Sequence, residues 1–314
     1  MNATCGTRGE PPRAQWLLMT HDKRMITGKT KLLGVIGYPV EHSLSPVMHN
    51  AAIAHLGLNY VYVPWTVEPQ NLEVAIQGFG AVGVVGFNAT IPHKEAILPL
   101  LSEISPIAKA VGAVNTVSRK DNKWIGTNTD VEGFLAPLRT TYNRDWSQTV
   151  AVILGNGGAA RAVVAGCAQL GCAKILVIGR NAQKLEEFHK SWDNSLESKN
   201  LHIHQWDELP KLIPQANLIV NTTPIGMYPK VEESPLSAEE MANLPAQAIA
   251  YDLIYTPNPT KFLQQAQQVG VIAIDGLEML VQQGAAALKI WLQRDTVPVD
   301  VMRQAVRKHL GLTS

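Results

Sequence analysis

The sequence predicts an α/β protein of two domains, the second a doubly wound parallel sheet. Three observations carry this. The apolar run Val150–Leu154 stops at a glycine cluster and continues with apolar residues at helical spacing, which reads as a buried parallel strand followed by a helix. A second apolar run, residues 174–178, follows at βαβ distance. Before both, the chain from residue 31 already alternates strand-like and helix-like segments. The expected extents are a leader at 1–29, a first domain at 30–129, the doubly wound domain at 130–275, and C-terminal helices at 276–314.

The glycine cluster gives the second domain its Rossmann-type character. Gly155, Gly157 and Ala160 occupy the positions of the G-x-G-x-x-G/A fingerprint, with Asn156, Gly158 and Ala159 completing the turn. The first glycine permits the tight turn and the second lets a pyrophosphate approach the backbone. The free N–H groups of the helix start then face the phosphate. A glycine-rich turn without a ligand is the competing reading; the strand before it, the helix after it and Gly171 as a plausible C′ residue favour nucleotide binding. At the end of the second strand an NAD site would carry Asp or Glu for the ribose 2′-hydroxyl. Here stand Gly179, Arg180 and Asn181, with Lys184 one turn on. A guanidinium and an ammonium suit a 2′-phosphate, so NADP(H) is the expected cofactor. The competing reading of Arg180 is a solvated surface arginine.

A chain of 314 residues has room for two cores, and 46% hydrophobic with 17% charged residues suits a soluble globular protein. A net charge of +1 offers no electrostatic case for nucleic acid or an anionic membrane, and no apolar run reaches transmembrane length. The three cysteines, Cys5, Cys167 and Cys172, lack metal-ligand spacing, so no metal is expected. A reducing cytosol is the expected compartment. The leader has no signal-peptide core, and Met25 is a plausible internal start. A homodimer is left open.

In the first domain a strand at Lys31–Gly37 leads to Ser43-Leu44-Ser45-Pro46. Ser45 before Pro46 reads as a helix N-cap, a role that does not account for Ser43. Strands follow at 60–63 and 82–87, with a helix around 71–76 between them. The third strand ends in Asn88-Ala89-Thr90-Ile91-Pro92-His93-Lys94. Asn88, Thr90 and Lys94 thus sit at a carboxyl strand end, where open α/β sheets bind ligands. Lys94 in a first helical turn opposes the helix dipole, a local penalty typical of functional sites. Ser105-Pro106 starts another helix. A strand at 113–117, a turn at Asp121-Asn122 and a returning strand lead to Asn128, Thr129 and Asp130 at the next helix start. A carboxylate there is also what the dipole alone would favour.

In the second half, residues 217–227 read as a buried strand ending in the polar turn Asn221-Thr222-Thr223, which faces the cofactor in such a sheet. Strands follow at 249–255 and 271–274. Asp275 to Trp291 is one long apolar helix with Gln282 and Gln283 inside it; the glutamine that faces the cleft would be a substrate ligand. His202 and His204 share a strand face without a third ligand nearby.

Together these motifs resemble the shikimate dehydrogenase family, in order and from about Leu32 to Leu310. They include Gly112-Ala113-Val114-Asn115-Thr116, Gly126-Thr127-Asn128-Thr129-Asp130, and the run from Asp275 through Ala285. The resemblance implies reversible NADP-dependent reduction of 3-dehydroshikimate to shikimate, in aromatic amino-acid synthesis. It implies C-terminal helices that return to the first, substrate-binding domain, and Lys94 and Asp130 as the catalytic pair. Ser43, Ser45, Asn88, Thr90, Asn115 and Gln283 would be the ligands of substrate carboxylate and hydroxyls. Leu253, Tyr255, Gly276 and Met279 would form the wall around the nicotinamide, with Tyr255 also reaching the substrate. One departure is Gly179-Arg180-Asn181, where the family often has Asn-Arg-Thr. It keeps alive a quinate/shikimate dehydrogenase using NAD or both cofactors. A nucleotide sensor without turnover is the reading from another class, and the Lys94 and Asp130 pair argues against it.

Overall fold

The computed structural model describes residues 26–141, 145–192 and 199–312. Most of the expected leader, with Cys5 and Met25, lies outside the described residues.

The first sheet is built from β1 (Lys31–Gly37), β2 (Tyr60–Thr66), β3 (Gly86–Ala89), β4 (Glu103–Ile104), β5 (Thr116–Lys120) and β6 (Lys123–Thr127), in the order β2-β1-β3-β5-β6-β4. β1 runs parallel to β2 and β3, which places α1 (Ser45–His55) and α2 (Leu72–Ala81) as crossovers. β5 and β6 form an antiparallel hairpin. Its turn is Asp121-Asn122, both at positive φ, the geometry that matches strand twist in a two-residue loop. Side chains alternate across β1: Leu33 and Val35 pack with α1, and Ile36 packs with Phe87 and Trp124 on the opposite face.

α5 (Asp130–Thr141) leads into the second sheet, which comprises β7 (Val150–Leu154), β8 (Lys174–Gly179), β9 (Leu201–Gln205), β10 (Leu218–Asn221), β11 (Ile249–Asp252) and β12 (Ile272–Ile274). All its pairings are parallel, in the order β12-β11-β10-β7-β8-β9. This is the doubly wound dinucleotide order, reversing between β7 and β10. Both faces are covered, so the strands are apolar throughout: Ala151 and Ile153 join one core, Val152 and Leu154 the other. α6 (Gly158–Leu170) follows the glycine loop and ends at Gly171, which is left-handed as expected. Cys167 and Cys172 are buried and not joined by a disulfide. Finally α11 (Leu277–Leu292) and α12 (Val299–His309) return to the first sheet, where α12 packs on α1. Arg303 clamps them together with a bidentate contact to Glu278, both bonds 2.7 Å.

Three local expectations are corrected. The third strand starts at Gly86, not at 82, because Gly83 turns the chain at positive φ and leaves Val82 in solvent. The strand expected at 113–117 begins only at Thr116. Ser45 does not cap α1 with its side chain; Ser43 does the nearest equivalent, its hydroxyl accepting from the Ser45 N–H at 3.3 Å.

At the end of β11 the buried Asp252 accepts from Thr260 Oγ1 (2.6 Å), Asn221 Nδ2 (3.0 Å) and Ile254 N–H (3.1 Å). Burial nevertheless pushes its carboxyl from 3.8 up to about 6. The folded state therefore keeps a proton that the unfolded chain releases. This contribution is full below the unfolded value and is lost as pH rises through the folded one. Over that window it amounts to about 3 kcal/mol. Asp252→Asn should gain stability relative to the parent between about pH 4 and 7. Urea denaturation across that range checks this; a pH-independent difference would show an ordinary carboxylate.

Candidate active site

A cavity of about 230 Å³ opens between the carboxyl edges of the two sheets. All nine residues expected around the substrate line it: Ser43, Ser45, Asn88, Thr90, Lys94, Asn115, Asp130, Tyr255 and Gln283. Ala159, Leu253, Gly276 and Met279 complete the wall from the nucleotide side.

Local structure explains each placement. Lys94 stands in α3 (His93–Ala96), one turn long, so the dipole penalty expected there is small. Asp130 is the first residue of α5, and its N–H is capped by Asn128 Oδ1 at 3.0 Å. Lys94 Nζ donates to Asp130 Oδ2 at 2.7 Å. Asn115 Nδ2 donates to the other carboxylate oxygen, also at 2.7 Å. Asn115 Oδ1 in turn accepts from the Thr129 N–H (2.8 Å) and Thr116 Oγ1 (2.9 Å). Asp130 is thus held from two sides before any ligand arrives. Gln283 is the glutamine that faces the cleft; Gln282 instead donates to Glu278 at 2.7 Å. Gly276 admits the Leu253 carbonyl oxygen 2.1 Å from where a Cβ would sit. Burial raises the Tyr255 phenol above its ordinary range.

The remaining expected cofactor residues form the carboxyl ends of β7, β8 and β10. Gly155 has φ +106°, and a Cβ there would meet Thr222 Oγ1 at 2.8 Å. A Cβ on Gly157 would project into open space at the start of α6. No side chain caps that helix start and no acid stands in its first turn. The N–H groups of Gly158, Ala159 and Ala160 have no partner within the helix, so this cradle fits a pyrophosphate. Asn156 Oδ1 lies 3.1 Å from where a Gly179 Cβ would sit. Arg180 and Lys184 are exposed beyond β8, and Asn181 caps the next helix by accepting from the Lys184 N–H at 2.9 Å.

Asn221 differs from its expected role. Its amide donates to Ile225 O and Asp252 Oδ1, both 3.0 Å, and accepts from the Thr223 N–H (3.0 Å) and Oγ1 (2.7 Å). All four of its hydrogen-bonding positions shape the turn, and none of its side chain is exposed. Thr222 Oγ1 likewise donates to Leu154 O at 2.7 Å.

His93 is a packing residue, its ring bonded to Val67 O at 2.7 Å. Among the described residues, no three His, Cys, Asp or Glu side chains converge on one point. Tyr62 escaped the sequence reading. It is buried behind the cavity, donates to Asn88 Oδ1 at 2.7 Å and stacks on His49 with ring centroids 4.3 Å apart. Period-two alternation marked Tyr62 only as a strand residue, which does not separate a core tyrosine from one supporting a site.

A doubly wound sheet with an empty-capped glycine loop, facing a lysine–carboxylate pair across a cleft, defines a dinucleotide-dependent oxidoreductase of two domains. Comparison with known proteins narrows this. Residues 35–117 match the shikimate dehydrogenase substrate binding domain, 138–280 match shikimate / quinate 5-dehydrogenase, and 276–307 match the shikimate 5′-dehydrogenase C-terminal domain. The shikimate dehydrogenase (NADP(+)) of Trichormus variabilis is 74% identical over 288 residues, spanning 92% of this chain and 100% of the relative. A solved shikimate dehydrogenase in complex with NADP+ superposes with a TM-score of 0.83 at 41% identity, covering 91% of this chain and 98% of its own. The Thermus thermophilus shikimate 5-dehydrogenase with NADP(H) and shikimate gives 0.78 at 33%, covering 89% and 99%. The chain belongs to the shikimate dehydrogenase family.

The cavity depends on α5 and α11 lying close together. A Cβ on Gly133 would sit 2.6 Å from the Met279 carbonyl oxygen. Gly133→Val should therefore lower stability by about 1–3 kcal/mol, the scale of overpacking. A denaturation midpoint equal to the parent's would show that the helices separate without penalty.

Proposed function

We propose that the chain catalyses reversible NADP-dependent interconversion of 3-dehydroshikimate and shikimate, a step toward aromatic amino acids. The observation that carries this is the Lys94–Asp130 pair, 2.7 Å apart inside the cavity. The relatives' names support NADP over an NAD or mixed preference. Cys167 and Cys172 are buried without a disulfide between them, which suits a reducing cytoplasm, and among the described residues no helix is long and apolar enough to cross a membrane.

When bound, the cofactor supplies the hydride chemistry. The chain's residues orient and stabilise. As the substrate carbonyl becomes an alkoxide, Lys94 Nζ stabilises the developing charge and carries a proton at hydrogen-bond reach. Asp130 Oδ2 holds that ammonium, and Asn115 prevents the carboxylate from turning away. Ser43, Ser45, Asn88, Thr90 and Gln283 bind the carboxylate and hydroxyls. Tyr255, Leu253, Gly276 and Met279 close the nicotinamide side and exclude water. Gly155 to Ala159 hold the pyrophosphate; Arg180 and Lys184 meet the 2′-phosphate.

Lys94→Ala should cut single-turnover hydride transfer roughly a hundredfold or more, the scale for losing one such donor. Shikimate binding by calorimetry should change much less. Asp130→Asn should also slow transfer, and the double variant should be less than additive because the two act as a unit. Near-normal transfer in Lys94→Ala would remove the centre of this assignment.

Arg180→Ala should raise KM for NADP+ by the equivalent of about 1.5–3 kcal/mol, a lost charge-assisted bond, and leave KM for NAD+ nearly unchanged. Equal effects on both cofactors would separate Arg180 from the 2′-phosphate.

A further inference from the structure

Parallel pairing of β8 with β9 sets Gly179 opposite Gln205. Arg180 and Trp206 are the first residues beyond these two strands, and they meet: the guanidinium carbon lies 5.0 Å from the centre of the indole. The two partners differ in freedom. Trp206 is half-buried and packs on the core that contains Leu176, Ile178 and Leu209. Arg180 is exposed, and among the described residues no carboxylate is paired with it.

The other side chains at this strand end offer a phosphate little. Gly179 has none, and Asn181, whose Oδ1 accepts from the Lys184 N–H at 2.9 Å, has only a neutral amide N–H to offer beside the two cations. Discrimination therefore falls on Arg180, with Lys184 beside it. An exposed arginine samples many rotamers, and freezing one on binding opposes affinity. A fixed aromatic face counters this. It attracts the guanidinium flat against itself and leaves the planar N–H edge free to donate in two parallel bonds.

We propose that Trp206 is a positioning residue for cofactor selection: its indole pre-sets the Arg180 guanidinium for the 2′-phosphate. The proposal rests on the NADP reading given above. The expected ligand chemistry is a ribose 2′-phosphate monoester, and the indole itself need not touch it.

Two probes that differ only in that phosphate test it by calorimetry, without turnover: adenosine 2′,5′-bisphosphate and adenosine 5′-monophosphate. The parent protein should bind the bisphosphate more tightly. Trp206→Leu should weaken the bisphosphate about tenfold and the monophosphate less than about twofold, a selective loss that disturbed packing would not produce. Trp206→Phe should restore most of the preference, because a π face is retained. In an Arg180→Ala background, Trp206→Leu should add less than about twofold, since the two act through one contact. An unchanged bisphosphate affinity, or equal weakening of both probes, overturns the proposal. Arg180→Lys keeps the charge and loses the planar fork, so it serves where Trp206→Leu does not fold. It should lose nearly as much preference as Arg180→Ala, and full retention overturns the proposal. A parent protein with no preference for the bisphosphate would instead overturn the NADP reading itself.

Discussion

The backbone contact between α5 and α11 is the constraint on which the rest of the molecule depends. These helices carry the chain out of the first sheet and back to it, and they pack along their lengths. At Gly133 there is no room for a side chain: Met279 O, Gln283 Cβ and Gln283 N all lie within 3.1 Å of the missing Cβ. Each helix carries part of the cavity. Asp130 begins α5, one turn before Gly133, and Gln283 lies in the second turn of α11. Asn115 Nδ2 reaches toward Gln283 Oε1 at 3.5 Å, between them. The other side of α5 is tied to the glycine-loop helix, because Gly166 accommodates the Phe134 ring. Arg161 adds a polar tie, donating from α6 to Val111 O of the first domain at 3.2 Å. One helix thus registers the carboxylate, the glutamine and the nucleotide cradle against each other.

Within that frame the polar groups are held by one another. Tyr62 donates to Asn88 Oδ1, and Asn88 Nδ2 donates to Asn115 O (3.0 Å) and Thr116 Oγ1 (3.1 Å). From there the bonds continue through Asn115 to Asp130 and Lys94. Buried polar groups are costly when unpaired and rigid when fully paired, so this network fixes rotamers at the cavity floor. It also limits what those residues can offer. Both amide protons of Asn88 are engaged, so toward the cavity it accepts and does not donate. That suits a hydroxyl and not a carboxylate.

Much of this was legible in the sequence, for identifiable reasons. The strands of the second sheet are buried on both faces, and such strands show as apolar runs in any context. Polar residues at the carboxyl end of a strand, Asn88 within β3 and Thr90 just beyond it, marked the cavity because open α/β sheets bind ligands there. Periodicity alone could not separate Gln283 from Gln282, since one residue of rotation about α11 decides which faces the cleft; only the family resemblance singled out Gln283. Asn221 was misleading for a different reason. A turn that shapes a site and a side chain that touches the ligand both require a polar residue at a strand end, and hydrogen-bond saturation appears only in three dimensions. The short strands β3 and β5 shifted from their expected positions because Val82 and Ala113 are apolar without being paired. Tyr62 left no signal at all, since its hydroxyl acts across 26 residues.

The two ends of the cofactor cradle differ in how they encode recognition. The pyrophosphate end is made of backbone: a glycine at positive φ and the open start of α6. Any sequence that preserves that path preserves the site, which explains why the glycine pattern reads so plainly. The ribose end is made of side chains, and there the chain departs from the usual family pattern at Gly179. The reason is local. A Cβ at 179 would lie 2.8 Å from Leu185 Cγ and 3.1 Å from Asn156 Oδ1. Leu185 anchors the following helix to the core, and Asn156 belongs to the glycine loop, so space between them is filled from elsewhere in the domain. The glycine is thus a packing solution, not a change of cofactor. What remains in the open at this strand end is Arg180, 5.0 Å from the Trp206 ring, with Lys184 on the following helix.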